Sequence, residues 1–358
     1  MRFLIDRFRE IIEHFDRKFE KSKLRPAWDT ISTFFFSLKT VTPSSGTHIR
    51  DNTDLKRYMS VVMAAAFPTV LASIYFFGWR CLAVVILSYV VGIVIELGFA
   101  IHNKEEVTEG MFVTCILYPM ILPPTIPFWM AAVGIAVGII LGKEVFGGTG
   151  KNIFNPAIVG RTFLSVTFPV EMASRWVPPF KGGFGGFVHW TQSTDVITSA
   201  TPLVNFKNGA PDNLLDMLLG STGGSMGETS AIIIIVCGIL LVMTHIANWR
   251  LPFATITSAM IVASIMYAVS PGQFASPLYQ LLGGGLLFGA FFMVTDPVTA
   301  PFTSKGKWIY GILIGLVTIL IRNLSGFSEG MMFAILLMNM FAPSIDDAVL
   351  ALKYRKGK

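Results

Sequence analysis

The sequence predicts an all-α polytopic membrane protein, with about ten transmembrane helices arranged as two inverted repeats of five. The chain of 358 residues is 53% hydrophobic and only 14% charged, whereas soluble domains carry about 25% charged residues. Its mean hydropathy is +0.63, as expected of a surface that mostly faces lipid. The apolar residues fall into long runs, and one proline-rich corner occurs twice, about half a chain apart.

The first element is a charged, amphipathic segment that covers residues 1–57. No signal-peptide pattern occurs in it. Apolar side chains recur there at helical spacing, namely Phe3, Leu4, Phe8, Ile11, Ile12, Phe15 and Phe19. The pattern predicts a helix that lies either on the membrane surface or against a partner subunit.

Apolar segments that are compatible with membrane spans follow, since a helix that crosses ~30 Å of hydrocarbon needs about 20 residues. They are 58–79, 81–101, 110–124, 127–145, 153–170, 230–247, 252–269, 277–295, 308–322 and 329–345. The predicted organisation is a first repeat over 58–170, an outer loop over 171–229, a second repeat over 230–345 and a tail over 346–358.

The distribution of basic residues predicts the orientation. With both termini on one side, that side holds 22 of the 28 lysines and arginines. Loops rich in Lys and Arg stay in the cytoplasm, so both termini are expected there and the 171–229 loop is expected outside. The basic residues flank apolar segments instead of forming one stripe, and the net charge of +6 therefore does not indicate nucleic-acid binding. The three cysteines lie far apart in apolar runs and predict packing roles, without a metal site.

A repeated corner supports the duplication. Pro123-Pro124-Thr125-Ile126-Pro127-Phe128 is echoed by Pro297-Val298-Thr299-Ala300-Pro301-Phe302. Five spans in each half invert the second half relative to the first. The third and eighth spans are the expected interrupted helices, which in such folds meet near the midplane of the bilayer and form the ion or substrate site.

A glycine-rich turn on the predicted cytoplasmic side contains Gly147 and Gly148 and leads to Asn152 and Asn155. The spacing of a P-loop is absent, and so is a dinucleotide-binding glycine pattern. Two interpretations of the asparagines remain open. Their amides either hydrogen-bond a heteroaromatic ligand or cap the start of a helix.

Acidic residues in or next to spans are candidates for an ion path. Glu96 is the one charged residue inside the second span. Intramembrane carboxylates usually face a cavity or a partner, and the structural alternative is an ion pair with Arg161. Asp296 is either part of a site or a boundary residue, and Asp346 and Asp347 are either solvated or an acidic mouth for cations.

Two phenylalanines, Phe288 and Phe292, are four residues apart in the glycine-rich eighth span. They either narrow a pore or serve only in packing. In the outer loop, Trp176 and Trp190 are either interfacial anchors or stacking partners for an aromatic ligand.

The outer loop also carries a motif that resembles the signature of threonine-linked flavin. The motif consists of Asp195, Thr198, Ser199, Ala200 and Thr201, and its last threonine is the one that carries FMN through a phosphoester.

Longer matches run nearly from end to end. They include His48-Ile49-Arg50-Asp51, Glu109-Gly110-Met111-Phe112, Lys143-Glu144-Val145-Phe146, Gly160-Arg161, Thr295-Asp296-Pro297-Val298 and Glu329-Gly330-Met331-Met332. On these motifs the chain resembles the NqrB/RnfD family, which includes the NqrB component of the sodium-translocating NADH:quinone oxidoreductase. The link between the first and second spans is short here, whereas some relatives insert a longer segment.

The resemblance implies a set of ligands and residues. Thr201 would carry covalent FMN, and Asn152, Asn155, Gly147 and Gly148 would lie near a non-covalent riboflavin. Ubiquinone or menaquinone would bind near Gly92, Phe112 and Phe163. Sodium would pass near Glu96, Phe288, Phe292 and Asp346. The cofactors would perform the electron transfer, without catalytic side chains.

The resemblance also implies an assembly and a location. The partners would be five further subunits, A, C, D, E and F, and a flavin transferase for maturation. The chain would lie in a bacterial inner membrane with the FMN loop on the periplasmic side. The alternative within the family is the RnfD-type subunit of a ferredoxin:NAD oxidoreductase ion pump. An alternative of another class is a flavin-free channel or carrier for a small polar solute.

Overall fold

The computed structural model describes residues 55–103, 110–191 and 200–355. The predicted amphipathic stripe of the N-terminal segment lies outside these residues, as do Asp195, Thr198 and Ser199 of the flavin motif. Within the described residues the secondary structure is entirely helical, without a strand. This confirms the predicted all-α class.

The first half of the chain contains five long or medium helices. They are α1 Leu55–Phe77, α2 Arg80–Asn103, α3 Gly110–Met120, α4 Phe128–Gly142 and α5 Pro156–Thr167. Only Gly78 and Trp79 link α1 to α2, as the short link in the sequence predicts. Gly78 has a φ of +95°, and a Cβ there would lie 2.7 Å from the carbonyl oxygens of His189 and Trp190. Glycine is therefore required at this turn.

Short helices form the connector between the halves. They are α6 Pro169–Ser174, a 3₁₀ turn Gly185–Val188, α7 Pro202–Lys207 and α8 Leu214–Leu219. The end of the connector runs beside the end of α3. There the amides of Met226 and Gly227 donate to the carbonyls of Leu122 and Met120, at 3.1 and 2.7 Å. These bonds satisfy backbone that α3 leaves free where it stops.

The second half begins with α9. Its helices are α9 Ala231–Met243, α10 Arg250–Val269, α11 Pro277–Leu282, α12 Leu286–Phe288, α13 Ser304–Leu324 and α14 Met331–Arg355. A break at 283–285 separates α11 from α12, and α12 continues as a π-helical turn, Gly289–Met293. In this turn the amide of Val294 donates to the carbonyl of Gly289 at 2.8 Å.

Six helices of the described chain are long and apolar enough to cross a membrane, and α3 and α9 are shorter apolar helices. The third segment is short and ends at Met120, and Pro123 and Pro124 follow it. The eighth segment is interrupted by three consecutive glycines. These two segments are the ones that the repeat predicts to be interrupted. The last helix runs on to Arg355, into the predicted tail.

The pattern of neighbours repeats between the halves. In the first half α2 packs on α3 and α4, and α4 packs on α5; in the second half α10 packs on α11 and α13, and α13 packs on α14. The halves meet through the pairs α1–α9 and α5–α14, which are themselves equivalent elements. This equivalence agrees with an internal duplication.

Small residues bring these helices close together. A Cβ on Gly138 of α4 would lie 3.1 Å from the Cα of Gly160 in α5. A Cβ on Gly311 of α13 would lie 2.8 Å from the Cβ of Ala254 in α10. Close approach through small residues is the usual basis of helix packing in lipid. The three cysteines are buried and unpaired, as their predicted packing roles require.

Candidate functional sites

Two pockets lie toward opposite ends of α9. The first, called the inner pocket, is lined at this helix by Leu241, and by Ile246 and Ala247 just beyond it. The second, called the outer pocket, is lined by Glu228 and Thr229, just before the same helix. A helix of 13 residues is ~20 Å long, so α9 separates two distinct sites.

The inner pocket contains both predicted asparagines. Asn155 accepts hydrogen bonds from the amides of Ala157 and Ile158 at 3.0 and 3.4 Å, and it thereby caps α5. Its amide nitrogen donates to Asp296 at 3.3 Å. Asn152 accepts from the amide of Gly150 at 3.2 Å and donates to the carbonyl of Phe154 at 3.0 Å. The capping interpretation is therefore confirmed for Asn155, and both side chains also face the pocket.

Asp296 is a site residue that the sequence left undecided. It lines the inner pocket and accepts hydrogen bonds from the Val298 amide at 3.1 Å and the Thr299 hydroxyl at 3.2 Å. Burial raises the pKa of its carboxyl, whereas the hydrogen bonds from Val298, Thr299 and Asn155 act in the opposite direction. An amide and a carboxylate from different halves of the chain thus meet at the pocket.

The two predicted glycines shape the turn above this pocket but do not line it. Gly147 and Gly148 have φ values of +100° and +89°, which favour glycine. The Gly148 amide donates to the carbonyl of Lys143 at 3.2 Å. Lys143 does line the pocket, and sequence reasoning missed it because a lysine in a glycine-rich loop was counted as a flanking charge.

Glu96 forms a buried ion pair with Lys143. The predicted structural partner, Arg161, was wrong: Arg161 pairs with Glu228 instead. The reason is the fold, since α2 packs on α4, which ends beside Lys143. A residue predicted for the sodium path is therefore joined directly to the wall of the inner pocket.

Phe288 and Phe292 are stacked, with ring centroids 4.9 Å apart and planes 24° apart. Both are buried, and Phe292 lines the inner pocket. They follow the break at Gly283–Gly285, where Gly284 lines the outer pocket. The aromatic pair thus occupies the stretch of chain between the two pockets.

The outer pocket contains Thr201 together with Trp176 and a glycine pair, Gly223 and Gly224. Thr201 is the N-cap residue of α7, yet its side chain makes no capping hydrogen bond. Trp176 is half-buried and lines the same pocket; its stacking on an aromatic ligand stays a prediction. Trp190 is exposed and lies elsewhere: its carbonyl accepts from the Arg80 amide at 2.9 Å.

Two buried ion pairs lie at one wall of the outer pocket, which Arg161, Glu228 and Glu329 line and Arg322, the partner of Glu329, does not. Arg161 and Glu228 are 3.2 Å apart, and Arg322 and Glu329 are 2.9 Å apart. The arginines are only 4% and 1% exposed. We call these four residues the outer charge cluster. Arg161 and Arg322 lie in predicted spans, where charges indicate a site, but the sequence did not pair them with Glu228 and Glu329.

Backbone between the pairs completes this wall. The Gly285 amide donates to Glu329 at 2.7 Å. Gly284 has a φ of +64°, and a Cβ there would lie 3.0 Å from a guanidinium nitrogen of Arg322. The glycines therefore leave space for charged groups that a larger residue would displace. One buried donor without a hydrogen-bond partner in the described chain, Arg161 Nε, belongs to a residue of the same pocket.

The predicted quinone residues lie apart from both pockets. Gly92 in α2 is buried, and a Cβ there would contact Ile139 at 3.2 Å. Phe112 in α3 lies 6.2 Å from Tyr89, centroid to centroid, and the Tyr89 hydroxyl donates to the Phe112 carbonyl at 3.0 Å. Gly92 and Phe112 thus share the α2–α3 interface, whereas Phe163 is on α5.

Asp346 is also separate from the pockets. It accepts hydrogen bonds from the amides of Phe302 and Thr303, at 2.5 and 3.0 Å, in the loop before α13. Asp346 is half-buried and α14 holds it against this loop, while its two interpretations from the sequence stay predictions. Its neighbour Asp347 is exposed.

These features define a multi-pass, all-helical membrane protein built from two equivalent halves, with a pocket toward each end. Comparison with known proteins identifies the family to which this membrane protein belongs. Residues 42–355 match the model described as the NQR2, RnfD, RnfE family. The chain belongs to this family.

Its relatives are similar along almost their whole length. The chain is 37% identical to the B subunit of the Na(+)-translocating NADH-quinone reductase of Pseudomonas paraeruginosa, over 98% of the chain and 96% of the relative. It is 35% identical to the protein of the same name from Yersinia pestis, over 98% of both. A third relative of this name, from Klebsiella pneumoniae, is 34% identical over 96% of both chains.

Proposed function

We propose that the chain is the NqrB component of a sodium-translocating NADH:quinone reductase, carries two flavins, and passes electrons to quinone while providing a sodium path. The observation that carries the proposal is Thr201. It ends a flavin-attachment motif and lines a pocket, in a chain whose relatives bear that name along their full length.

The outer pocket suits a covalently attached FMN. The Thr201 hydroxyl is not used in capping α7, so phosphoester formation at this oxygen breaks no helix cap. Trp176 offers an aromatic face, and Arg161 Nε is a buried donor that lacks a partner in the described chain. Bound flavins supply the electron-transfer chemistry, and the residues of the chain hold and orient them.

The inner pocket suits an uncharged flavin such as riboflavin. Its walls are mainly apolar, and its polar groups include Asn152, Asn155, Thr149 and Asp296. Such a pocket fixes orientation through a few placed polar groups. The buried Glu96–Lys143 pair at its edge and Phe292 in its wall connect it with the proposed sodium path. Quinone is proposed to bind near Gly92, Phe112 and Phe163.

The proposed setting is a bacterial inner membrane, with both termini in the cytoplasm and Thr201 on the periplasmic side. Five partner subunits and a flavin transferase complete the assembly. The asymmetric distribution of lysine and arginine supports this orientation. The Lys181→Cys variant should react with a membrane-impermeant thiol reagent in intact cells, and the Lys305→Cys variant should not. The reverse pattern would contradict the proposed topology.

The test of the central proposal is Thr201→Ala in the whole complex. This change should abolish the fluorescent flavin band of the chain on a denaturing gel and the FMN-sized mass increment on the peptide that contains residue 201. Thr222→Ala, which alters another threonine of the same pocket, should leave both intact. A band that persists in Thr201→Ala contradicts the attachment site, and absence of flavin from the unaltered chain favours a flavin-free carrier.

A second candidate is the RnfD-type subunit, because the family description includes RnfD. The two differ in electron donor. Membranes that contain the assembled complex should reduce quinone with NADH under the first proposal, and should instead exchange electrons between ferredoxin and NAD under the second. The names and coverage of the relatives favour the first.

A further inference from the structure

The outer charge cluster contains hydrogen-bond donors that its own ion pairs do not use. Buried pairs gain little net stability over apolar residues of similar volume, because desolvation of both charges offsets their attraction. Two such pairs side by side are therefore poorly explained by stability alone. Their position at the pocket of Thr201 indicates a ligand.

The two pairs differ in how far they are satisfied. Arg322 donates to Glu329 at 2.9 Å and to the carbonyl of Gln280 at 2.6 Å, and Glu329 accepts from the Gly285 amide. Arg161, in contrast, makes one ion pair, with Glu228 at 3.2 Å. Neither Arg161 Nε nor Arg322 Nε has a hydrogen-bond partner in the described chain, but only Arg161 lines the pocket. Arg161, Ser225 and Glu228 all line the pocket, whereas Arg322 does not.

We propose that Arg161 and Glu228 bind the pyrimidine edge of the isoalloxazine ring of the flavin on Thr201, and that Arg322 and Glu329 are positioning residues that hold this wall. The inference rests on the proposed function. The ring edge presents two carbonyl oxygens on either side of one N–H. A guanidinium beside a carboxylate offers the complementary donors and acceptor, and Ser225 adds a further hydroxyl.

This contact predicts opposite effects for the two charges. The ring becomes more negative as it gains electrons, so a guanidinium at its edge favours the reduced ring and a carboxylate disfavours it. Arg161→Gln should lower the midpoint potential of this flavin, and Glu228→Gln should raise it. A tenfold change in the two-electron equilibrium corresponds to about 30 mV, and we expect at least that change in each direction. A purely structural pair gives no reason for opposite signs.

The experiment is a redox titration of the assembled complex, followed by the flavin absorbance that Thr201→Ala removes. Arg175→Gln is the matched control, because Arg175 pairs with Glu171 at 2.7 Å on the exposed part of the connector. It should leave the potential unchanged. Arg161→Lys keeps the positive charge and should shift the potential less than Arg161→Gln does.

The possible results distinguish the role of Arg161 and Glu228 from the attachment of flavin at Thr201. No flavin adduct on residue 201 of the unaltered chain removes both. An adduct that persists in all variants, with potentials that stay constant or shift in the same direction, overturns only the role of Arg161 and Glu228. If Arg161→Gln does not assemble, Glu228→Gln decides: a raised potential supports the contact, and an unchanged or lowered one overturns it.

Discussion

The two pockets differ in the kind of polar group that forms their walls. The outer pocket is lined by Arg161, Glu228 and Glu329 beside small residues and Trp176, and Glu329 is paired with Arg322. The inner pocket is mostly apolar, with two asparagines that are already bonded to backbone, one carboxylate and Lys143, which is paired with Glu96. Under the proposed function, the two pockets hold their flavins in different ways. A covalent link fixes position, which leaves charges to set the electronic environment, whereas a non-covalent ligand depends on shape and a few hydrogen bonds.

The largest expected effect is at Arg322, because the outer pocket depends on complete pairing of its charges. Arg322→Ala leaves Glu329 largely buried without its cation, which typically costs about 3–5 kcal/mol. The complex should lose this amount of unfolding free energy, measured by thermal unfolding in detergent, or fail to assemble. The exposed pair provides the control, since Arg175→Ala should cost no more than about 1 kcal/mol. Equal losses of unfolding free energy in Arg322→Ala and Arg175→Ala would contradict the expected difference between a buried and an exposed ion pair.

The next effect concerns sodium at the edge of the inner pocket. Glu96→Ala should raise the sodium concentration for half-maximal turnover about tenfold, the equivalent of ~1.4 kcal/mol of lost interaction. The reason is the loss of the carboxylate that pairs with Lys143. Sodium dependence is measured as quinone reduction by the complex over a range of NaCl concentrations. Unaltered sodium dependence would remove Glu96 from the proposed path.

Asn155 should show a smaller and more selective effect. Asn155→Ala removes the cap of α5 and the bond to Asp296, at a cost of about 1 kcal/mol. Non-covalent flavin in the purified complex should fall while covalent flavin stays constant. Asn155→Asp keeps the capping oxygen but loses the amide donor, so flavin loss in this variant too assigns the effect to the donor. Parallel loss of both flavins would show that the pockets are not independent.

The smallest effect should separate the stacked phenylalanines. Replacement by leucine keeps the apolar contact but loses the ring stacking, worth about 0.5–1.5 kcal/mol. Phe292→Leu should also lower the content of non-covalent flavin, because Phe292 lines the inner pocket, whereas Phe288→Leu should affect stability alone. Flavin extraction and thermal unfolding of both variants measure the difference. The reverse pattern would place the pocket wall at Phe288.

Much of the fold follows from the sequence, because a lipid environment requires long apolar helices and an internal repeat can be recognised from similar sequence motifs. The class, the short link at Gly78 and the interruption of the third and eighth segments were all predictable. The ends of those segments were not, since Met120 ends a helix whose free carbonyl bonds to Gly227, more than a hundred residues away. The predicted ion pair between Glu96 and Arg161 was wrong because it, too, depends on contacts between distant parts of the chain. Whether Glu96 meets Arg161 or Lys143 depends on helix packing, which spacing along the chain does not encode.

One short helix bears on both pockets at once. Asn155 at the start of α5 bonds Asp296 at 3.3 Å, and Arg161, less than two turns later, bonds Glu228 at 3.2 Å. Both partners belong to parts of the chain beyond the first half. The two contacts lie about 9 Å apart along the axis of α5. A movement of α5 that breaks one of them would therefore change the geometry of the other. A single helix thus carries polar contacts of both pockets.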